Sequence, residues 1–367
     1  MSADATAQPV DAGAPVPLPA LPDPRISVVI CNYNYARFIG AALDSVLSQS
    51  RPACQIVVVD DGSTDASVQV IGGYARHGVQ LIVQANGGQV AAYNTGFSQA
   101  DGDVVLFLDA DDLLLPDALQ QVAEGFAQGV AKLHFRLQLI GPQGEPLGTS
   151  IPSSLARGEV ATRLLRHGVP HASPPASGNA YRRSVLQRLF PLPVDALDRH
   201  GADFFCIYGS TLFGTVAACE RPLGLYRVHQ FPRADSALNF GNAEQGQRLG
   251  DRLQARVVRF AGWVAERSGG TLSVPLRWVD FSIEKTAYAT ALLLDPAGRP
   301  GLRQAGPRLR DMLRAIWWRD GLSGPRKLGL MAWAAWLLVA PRPLALRAAR
   351  YVCDPASRSA RSAGVSP

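Results

Sequence analysis

The stretch Val104-Val105-Leu106-Phe107-Leu108-Asp109-Ala110-Asp111-Asp112 decides the reading of this chain. An unbroken apolar run of this length reads as a buried strand. It ends in carboxylates spaced Asp-x-Asp. The plan repeats upstream, where Gln55–Val59 runs into Asp60-Asp61. Two hydrophobic strands thus each deliver acidic residues at their C-terminal tips. In an open α/β sheet that edge is where ligands bind. Carboxylates gathered there suit a hard divalent cation and the phosphates it carries.

Working outward, the same alternation continues. Ile26–Cys31 reads as a first buried strand, followed by the polar turn Asn32-Tyr33-Asn34. Phe38, Ile39, Ala42, Leu43, Val46 and Leu47 recur at helical spacing, and Arg51-Pro52 closes that helix. After Asp60-Asp61-Gly62-Ser63-Thr64-Asp65, with its capping residues, a helix is expected to about Ala75. Val79–Val83 is the third strand, Val90–Gln99 a helix, and Pro116 a helix-initiating proline after the fourth strand. Strands alternating with helices predict an α/β fold: a Rossmann-like, mostly parallel sheet flanked by helices. Lys132–Ile140 with Gly141-Pro142-Gln143-Gly144 predicts a strand and a hairpin turn, and residues 242–320 read as mostly helical.

Composition is that of a globular protein, 47% hydrophobic and 18% charged. Residues 321–367 hold seven basic side chains and one acid, Asp354, so the net charge of +6 belongs to the C-terminal stretch. Cys31, Cys54, Cys206, Cys219 and Cys353 form neither a C-x-x-C pair nor a zinc pattern, which fits a reduced, cytoplasmic protein. No signal peptide is evident. Residues 1–24 carry six prolines among Ala, Gly and Asp and are expected to be a disordered leader.

The segment Ile26–Leu119 resembles the nucleotide-sugar-binding half of family 2 glycosyltransferases of GT-A fold. Three pieces carry the resemblance in order: Ser27-Val28-Val29-Ile30-Cys31-Asn32-Tyr33-Asn34, Val58-Val59-Asp60-Asp61-Gly62-Ser63-Thr64-Asp65, and Phe107-Leu108-Asp109-Ala110-Asp111-Asp112 with Pro116-Asp117. It extends more weakly to about residue 236. It implies a GT-A domain over 25–236, with a nucleotide-sugar half (25–120) and an acceptor half (121–236). A helical C-terminal region (237–352) and a disordered tail (353–367) would follow.

The resemblance implies roles. Asp109 and Asp111 match the DXD motif, whose Mn²⁺ or Mg²⁺ stabilises the leaving diphosphate. Asp111 would be the direct ligand, with Asp109 ligating, facing the ribose or holding a water. Asp61 matches the position that accepts the imide N–H of uracil, which suits a pure acceptor. Tyr33 would lie against the base. Cys31, Ala110 and Gly88 would line the donor through backbone. Tyr93 stands where many relatives carry Arg. Asp60 and Asp65 have structural and functional readings of equal weight. Ser177-Gly178-Asn179-Ala180-Tyr181-Arg182-Arg183 resembles a loop facing the sugar, with Arg182 or Arg183 reaching phosphate or merely starting a helix. Ala202-Asp203-Phe204-Phe205 resembles the segment holding the catalytic base, with Asp203 as the base and Asp198 and Asp195 as nearby competitors. Leu225-Tyr226-Arg227-Val228-His229 resembles the motif that closes the domain, with His229 reaching metal or diphosphate.

The expected activity is inverting transfer of a sugar from a nucleotide-sugar, a UDP-sugar, to a saccharide or lipid-linked acceptor in polysaccharide or glycolipid synthesis. A nucleotidyltransferase would need a glycine-rich, basic loop after the first strand, whereas Asn32-Tyr33-Asn34-Tyr35 has no glycine. A phospho-receiver module is disfavoured by the acidic pair after strand two and by the length of chain that follows. A non-catalytic sugar-nucleotide binder is disfavoured by the intact acids. At the C-terminus, Leu328–Ala340 with Trp333 and Trp336 lies between Arg326-Lys327 and Arg342. It is too short to span a bilayer and suits a helix lying at the inner face of the cytoplasmic membrane, with Ile316-Trp317-Trp318-Arg319 adding to that surface through residues 316–350. The aromatics sit within apolar runs, so nucleic acid is not an expected partner.

Overall fold

Alternate residues of the central strands face opposite layers, and that alternation organises the molecule. The computed structural model describes residues 18–195, 198–229, 247–293, 302–319 and 321–353. Strand β1 (Ile26–Asn32), helix α1 (Ala36–Leu47), β2 (Gln55–Asp60), α2 (Ser67–Gly72), β3 (Val79–Val83), α3 (Gln89–Gln99) and β4 (Val104–Asp109) follow in order. Within β4, Val105 and Phe107 enter one apolar cluster, while Val104, Leu106 and Leu108 enter another. Strand β1 divides likewise, with Val29 on one side and Ile26, Val28 and Ile30 on the other. Both faces are therefore covered, α3 on the first and α1 on the second, as a parallel sheet requires.

The first four strands are parallel in the order β3-β2-β1-β4. Register is tight: Asn32 stands opposite Asp60, and Cys31 opposite Asp109. The expected helix to Ala75 is shorter. It stops at Gly72, and a 3-10 turn spans Ala75–His77. The Gly72-Gly73 pair accounts for the stop, since glycine is costly inside a helix.

After β5 (Leu113–Leu114) and α4 (Ala118–Glu124) come β6 (Val130–Ile140) and β7 (Pro146–Ile151), the expected hairpin. Helix α5 (Ala161–His167) leads to β8 (Asn179–Arg182), α6 (Arg183–Leu189), α7 (Ala202–Gly209) and the long β9 (Thr215–Arg227). Strand β8 joins β4 to β6 through antiparallel pairs on both sides, and β9 continues the sheet beside β6 in parallel. The result is a mixed α/β sheet of nine strands among the described residues.

Lys132, wholly buried on β6, fixes the chain that leads to β8. Its Nζ donates to Ser173 Oγ at 3.1 Å and Asn179 Oδ1 at 3.0 Å, and lies 3.2 Å from His171 Nε2. Burial pushes its pKa well below the ordinary lysine value.

Helices α8 (Gln247–Arg267), α9 (Phe281–Leu293), α10 (Leu302–Trp318), α11 (Gly324–Trp336) and α12 (Arg342–Cys353) complete the described chain. Phe260 and Trp263 of α8 enter the same cluster as α3 and α7, whereas α9 to α12 build a separate one around Tyr288, Met312, Leu337 and Ala349. Arg163 donates to Trp318 O at 2.9 Å, and His167 stacks on Trp318 at 4.5 Å, tying this bundle to α5. No helix among the described residues is long and apolar enough to cross a membrane.

Order begins ahead of Arg25. Leu18 is buried with Ala131 and Val185, and Leu21 N–H donates to Phe126 O at 2.9 Å. The rest of the expected leader, residues 1–17, and most of the expected tail, 354–367, lie outside the described residues.

One contact exposes how closely α3 lies on the sheet. A Cβ at Gly96 would stand 2.4 Å from Val29 Cγ1 and 3.3 Å from Val59 Cγ2. Both valines are fully buried and β-branched, so neither yields easily. Gly96→Ala is expected to cost about 1–3 kcal/mol. A urea titration should show a lower midpoint with an unchanged slope.

Candidate active site

The tips of β1 and β2 are knitted by Asp60. Its buried carboxylate accepts from Asn32 Nδ2 at 2.7 Å, Ser63 N at 2.9 Å and Ser63 Oγ at 2.7 Å. Asn34 adopts a left-handed backbone (φ 57°), and its Oδ1 accepts from Thr64 N at 2.8 Å. Asp65 accepts from Ala36 N at 3.0 Å and Ser67 N at 2.9 Å. Asp60 and Asp65 therefore shape the turn.

Asp61 has a different setting. Its Oδ1 accepts from Gln84 Nε2 at 2.7 Å and Gly87 N at 2.8 Å, and its Oδ2 from Gly88 N at 2.7 Å. A carboxylate offers about four lone-pair sites, so three donors leave room for one more. Gly88, at φ 85°, caps α3, and a Cβ there would meet Arg199 Cβ at 2.5 Å. Its bare α-carbon thus serves contact with the 198–203 loop. Cys31 lies partly buried between Val59 and Asp109, and burial, Asp109 and Asp61 push its thiol pKa well up. Tyr33 projects from the β1 tip and is exposed.

The Asp109–Asp112 loop is held from two sides. Ser177 Oγ accepts from Asp109 N at 3.0 Å and donates to Asp112 Oδ2 at 2.6 Å. Arg227 N donates to Asp112 Oδ1 at 2.9 Å, and its Nε donates to Asp111 O at 2.9 Å. Ala110 is buried. This frame presents the Asp111 side chain to His229, whose Nε2 lies 2.6 Å from Asp111 Oδ2. The His229 ring packs 5.3 Å from Phe38 and 5.9 Å from Tyr35. Burial, then Asp111, Asp109 and Asp112, push the Tyr35 pKa up to about 12.

Asp109 and Asp112 are both buried among like charges, and burial, then Asp111 and Asp109, push the Asp112 pKa well up. Burial first, then the charges of Asp111 and Asp203, push the Asp109 pKa up to about 8. Asp203 therefore stands within electrostatic reach of Asp109 although 94 positions separate them in sequence. It sits in the first turn of α7, and burial raises its pKa against the opposing charge of Arg256. Its competitors are engaged elsewhere. Asp198 accepts from Arg256 Nε and Nη2, both at 2.7 Å, and also from Arg259. Burial opposes it, yet those arginines hold its carboxyl below the usual range. Asp195 pairs with Arg259 at 2.8 Å. Gln89 Oε1 accepts from Gly201 N at 2.8 Å and Ala202 N at 3.2 Å, fixing the entry to α7.

Tyr93, which stands where many relatives carry Arg, is buried and stacks on Phe107 at 4.1 Å, facing the core from α3. Arg182 and Arg183 do not approach the acidic loop. The antiparallel pairing of β8 puts Arg182 opposite Val104, at the far end of β4 from Asp109. There Arg182 Nε donates to Val130 O at 2.8 Å and Arg183 Nε to Ala100 O at 2.7 Å. Ser177, Tyr35, Phe38, Gln89 and Arg227 are the contributors that sequence reasoning left without a role. For Arg227, its place two residues before His229 was a usable signal, since alternate strand residues share a face.

The donor set suits a hard divalent cation. Asp111 and His229 touch, and Asp109 adds a carboxylate whose burial lacks compensating positive charge. Among the described residues no three His, Cys, Asp or Glu side chains stand together as a metal-holding group. An ion held partly by substrate phosphates needs only one or two carboxylates.

Known proteins bear on this arrangement. The profile of Glycosyl transferase family 2 matches residues 27–190. An uncharacterized glycosyltransferase of Nostoc sp. (strain PCC 7120) is 39% identical over 313 residues, spanning 76% of this chain and 97% of that protein. The succinoglycan biosynthesis protein ExoO of Rhizobium meliloti is 28% identical over 216 residues, 56% of this chain and 62% of ExoO. The crystal structure of S. aureus TarS 1–349 in complex with UDP-GlcNAc superposes with a TM-score of 0.50 at 18% identity over 92% of both chains, a likeness of fold. With the sequence likeness spanning nearly the whole Nostoc protein, and with the mixed sheet and acidic C-terminal edge described above, this chain belongs to glycosyltransferase family 2.

Proposed function

We propose that this glycosyltransferase is metal-dependent and inverting, moving a sugar from a UDP-sugar to an acceptor hydroxyl. One observation carries the reading: Asp203 stands within electrostatic reach of Asp109, while Asp195 and Asp198 pair with arginines. A general base works best when its pKa approaches the working pH. Burial raises that of Asp203 against the charge of Arg256, whereas the arginines beside Asp198 hold its carboxyl below the usual range.

The nucleotide base stacks against exposed Tyr33, and its imide N–H takes the remaining acceptor site on Asp61. The backbone of Cys31, Ala110 and Gly88 lines the donor. Asp111 and His229, with Asp109, would hold Mn²⁺ or Mg²⁺, which would supply charge neutralisation for the leaving diphosphate. Asp203 takes the proton of the acceptor hydroxyl. That oxygen attacks C1 of the sugar from the face opposite the diphosphate, the C1–O bond to the diphosphate breaks, and UDP leaves. TarS binds UDP-GlcNAc, and ExoO serves succinoglycan biosynthesis. By analogy the acceptor is a growing polysaccharide or glycolipid at the cytoplasmic face of the membrane, with 25–236 as the transferase domain and 237–352 as its helical extension.

A screen of UDP-, GDP- and dTDP-sugars with Mn²⁺ or Mg²⁺, reading nucleotide release, tests the donor class. No release from any UDP-sugar would sink it. Asp203→Asn should lower kcat by about 10²–10⁴. Its affinity for UDP by calorimetry should stay within about twofold, and a fully active variant would overturn the base assignment. Asp111→Asn should instead abolish the Mn²⁺-dependent part of UDP binding. The pH dependence follows from the raised pKa of Asp203. The base acts only when ionised, so kcat/KM should fall as pH drops through a pKa above the ordinary carboxylate range. Asp203→Asn should remove that limb from its residual rate.

A further inference from the structure

The outward face of α11 contradicts the usual pattern of a helix in water. Leu328, Ala332, Ala335 and Trp336 recur at helical spacing, Val339 lies one turn on, and all five are exposed. Leu328 is 69% exposed, Val339 76% and Trp336 41%. No charged residue interrupts this stripe. The opposite face is apolar too: Ala334 and Leu337 are buried, and Trp333 packs inward on the same cluster. A helix that is apolar all round is normally covered on every side, and a contiguous exposed apolar face marks a contact.

The surroundings say what covers it. Between 321 and 353 there is no Asp or Glu, whereas Arg326, Lys327, Arg342 and Arg347 flank the stripe in sequence. Trp317, 63% exposed at the end of α10, lies beside the first turn of α11, where Lys327 Nζ donates to its carbonyl at 2.6 Å and lies 6.0 Å from its ring. An aromatic ring beside a cation is the arrangement favoured where apolar and aqueous phases meet. Just beyond, Leu344 is exposed on α12. Two of the residues expected on this surface do not belong to it: Ile316 is buried in the bundle, and Trp318 stacks on His167. With Trp333 turned inward, Trp317 and Trp336 are the tryptophans that remain outside.

We propose that the outer face of α11, from Leu328 to Val339, docks this glycosyltransferase onto an anionic lipid surface. The helix lies in the plane of the interface, its apolar stripe below the headgroups and the flanking arginines and lysine among them. A two-fold contact between copies fits less well, because it would set one cationic rim against another. The inference gives a partner to the membrane-face reading above and rests on that reading for its biological sense alone. Its evidence is independent of the catalytic carboxylates.

Sedimentation of the full chain with vesicles tests it, without donor or metal. Vesicles of phosphatidylcholine containing phosphatidylglycerol should bind at least tenfold more tightly than pure phosphatidylcholine, and salt should weaken the difference. L328E/W336E/V339E, all at exposed positions, should lose at least tenfold in binding while donor turnover in solution stays unchanged. R326Q/R342Q/R347Q keeps the stripe and should lower binding to anionic vesicles severalfold. Indifference of the native chain to anionic vesicles overturns the proposal, as does unimpaired binding by the first variant. So does a lipid-free dimer, seen by light scattering, that the first variant converts to monomer, which would assign the face to a second copy. Vesicle binding by a chain inactive with every donor would count against the catalytic reading alone.

Discussion

The parallel register of β2, β1 and β4 is the constraint on which this site depends. Backbone pairing sets Asn32 level with Asp60 and Cys31 level with Asp109. Residues distant in sequence therefore end on one line at one edge of the sheet. The register is itself held by burial on both faces. A slip by one residue would turn Val29 and Phe107 out of one apolar cluster and force Ile30 and Leu108 out of the other. The polar edge and the apolar interior are thus consequences of a single alignment.

Bringing so many carboxylates to one edge is electrostatically unfavourable, and the structure deals with each of them differently. Asp60 accepts from Asn32 and Ser63; Asp112 accepts from Ser177 and Arg227, yet burial, Asp111 and Asp109 still push its pKa well up. Asp61 accepts from the backbone amides of Gly87 and Gly88. Asp195 and Asp198 are matched by arginines of α8. Asp109 is pushed up by burial and by Asp111 and Asp203, Asp203 is raised by burial against the charge of Arg256, and Asp111 stands beside His229.

This division was only partly legible in the sequence. Strand tips were readable because an apolar run ending in Asp states its own geometry, and the hairpin after Ile140 announced itself through Gly141-Pro142-Gln143-Gly144. The orientation of Tyr93 was not, since which side of α3 meets the sheet is set by Gly96 and by Phe107 on another strand. The choice between the two readings of Arg182 and Arg183, phosphate contact or helix start, was not legible for a related reason; they stand at the start of α6. The direction of β8 reverses relative to β4, and nothing local in Asn179–Arg182 states that reversal. Trp333 and Trp336 looked alike in sequence, but three residues on a helix turn one into the bundle and the other out of it. Ser177 acquires its part only because the antiparallel β8 starts where β4 ends, next to Asp109.

The placement of Asp203 couples the two halves of the site through one helix. Asp61 grips Gly87 and Gly88 at the start of α3, and the next residue, Gln89, caps the entry to α7. Val90 N–H adds a bond to Arg199 O at 3.2 Å, and Arg199 in turn donates to Asn86 O at 2.5 Å. The segment that leads to Asp203 is thus pinned to the same turn that Asp61 organises. The close approach at Gly88 leaves no room for a Cβ, so the two loops cannot drift apart or together without breaking these bonds. Asp61 therefore has two consequences in this fold: it holds the Gly87-Gly88 turn, and through α3 it fixes where Asp203 stands.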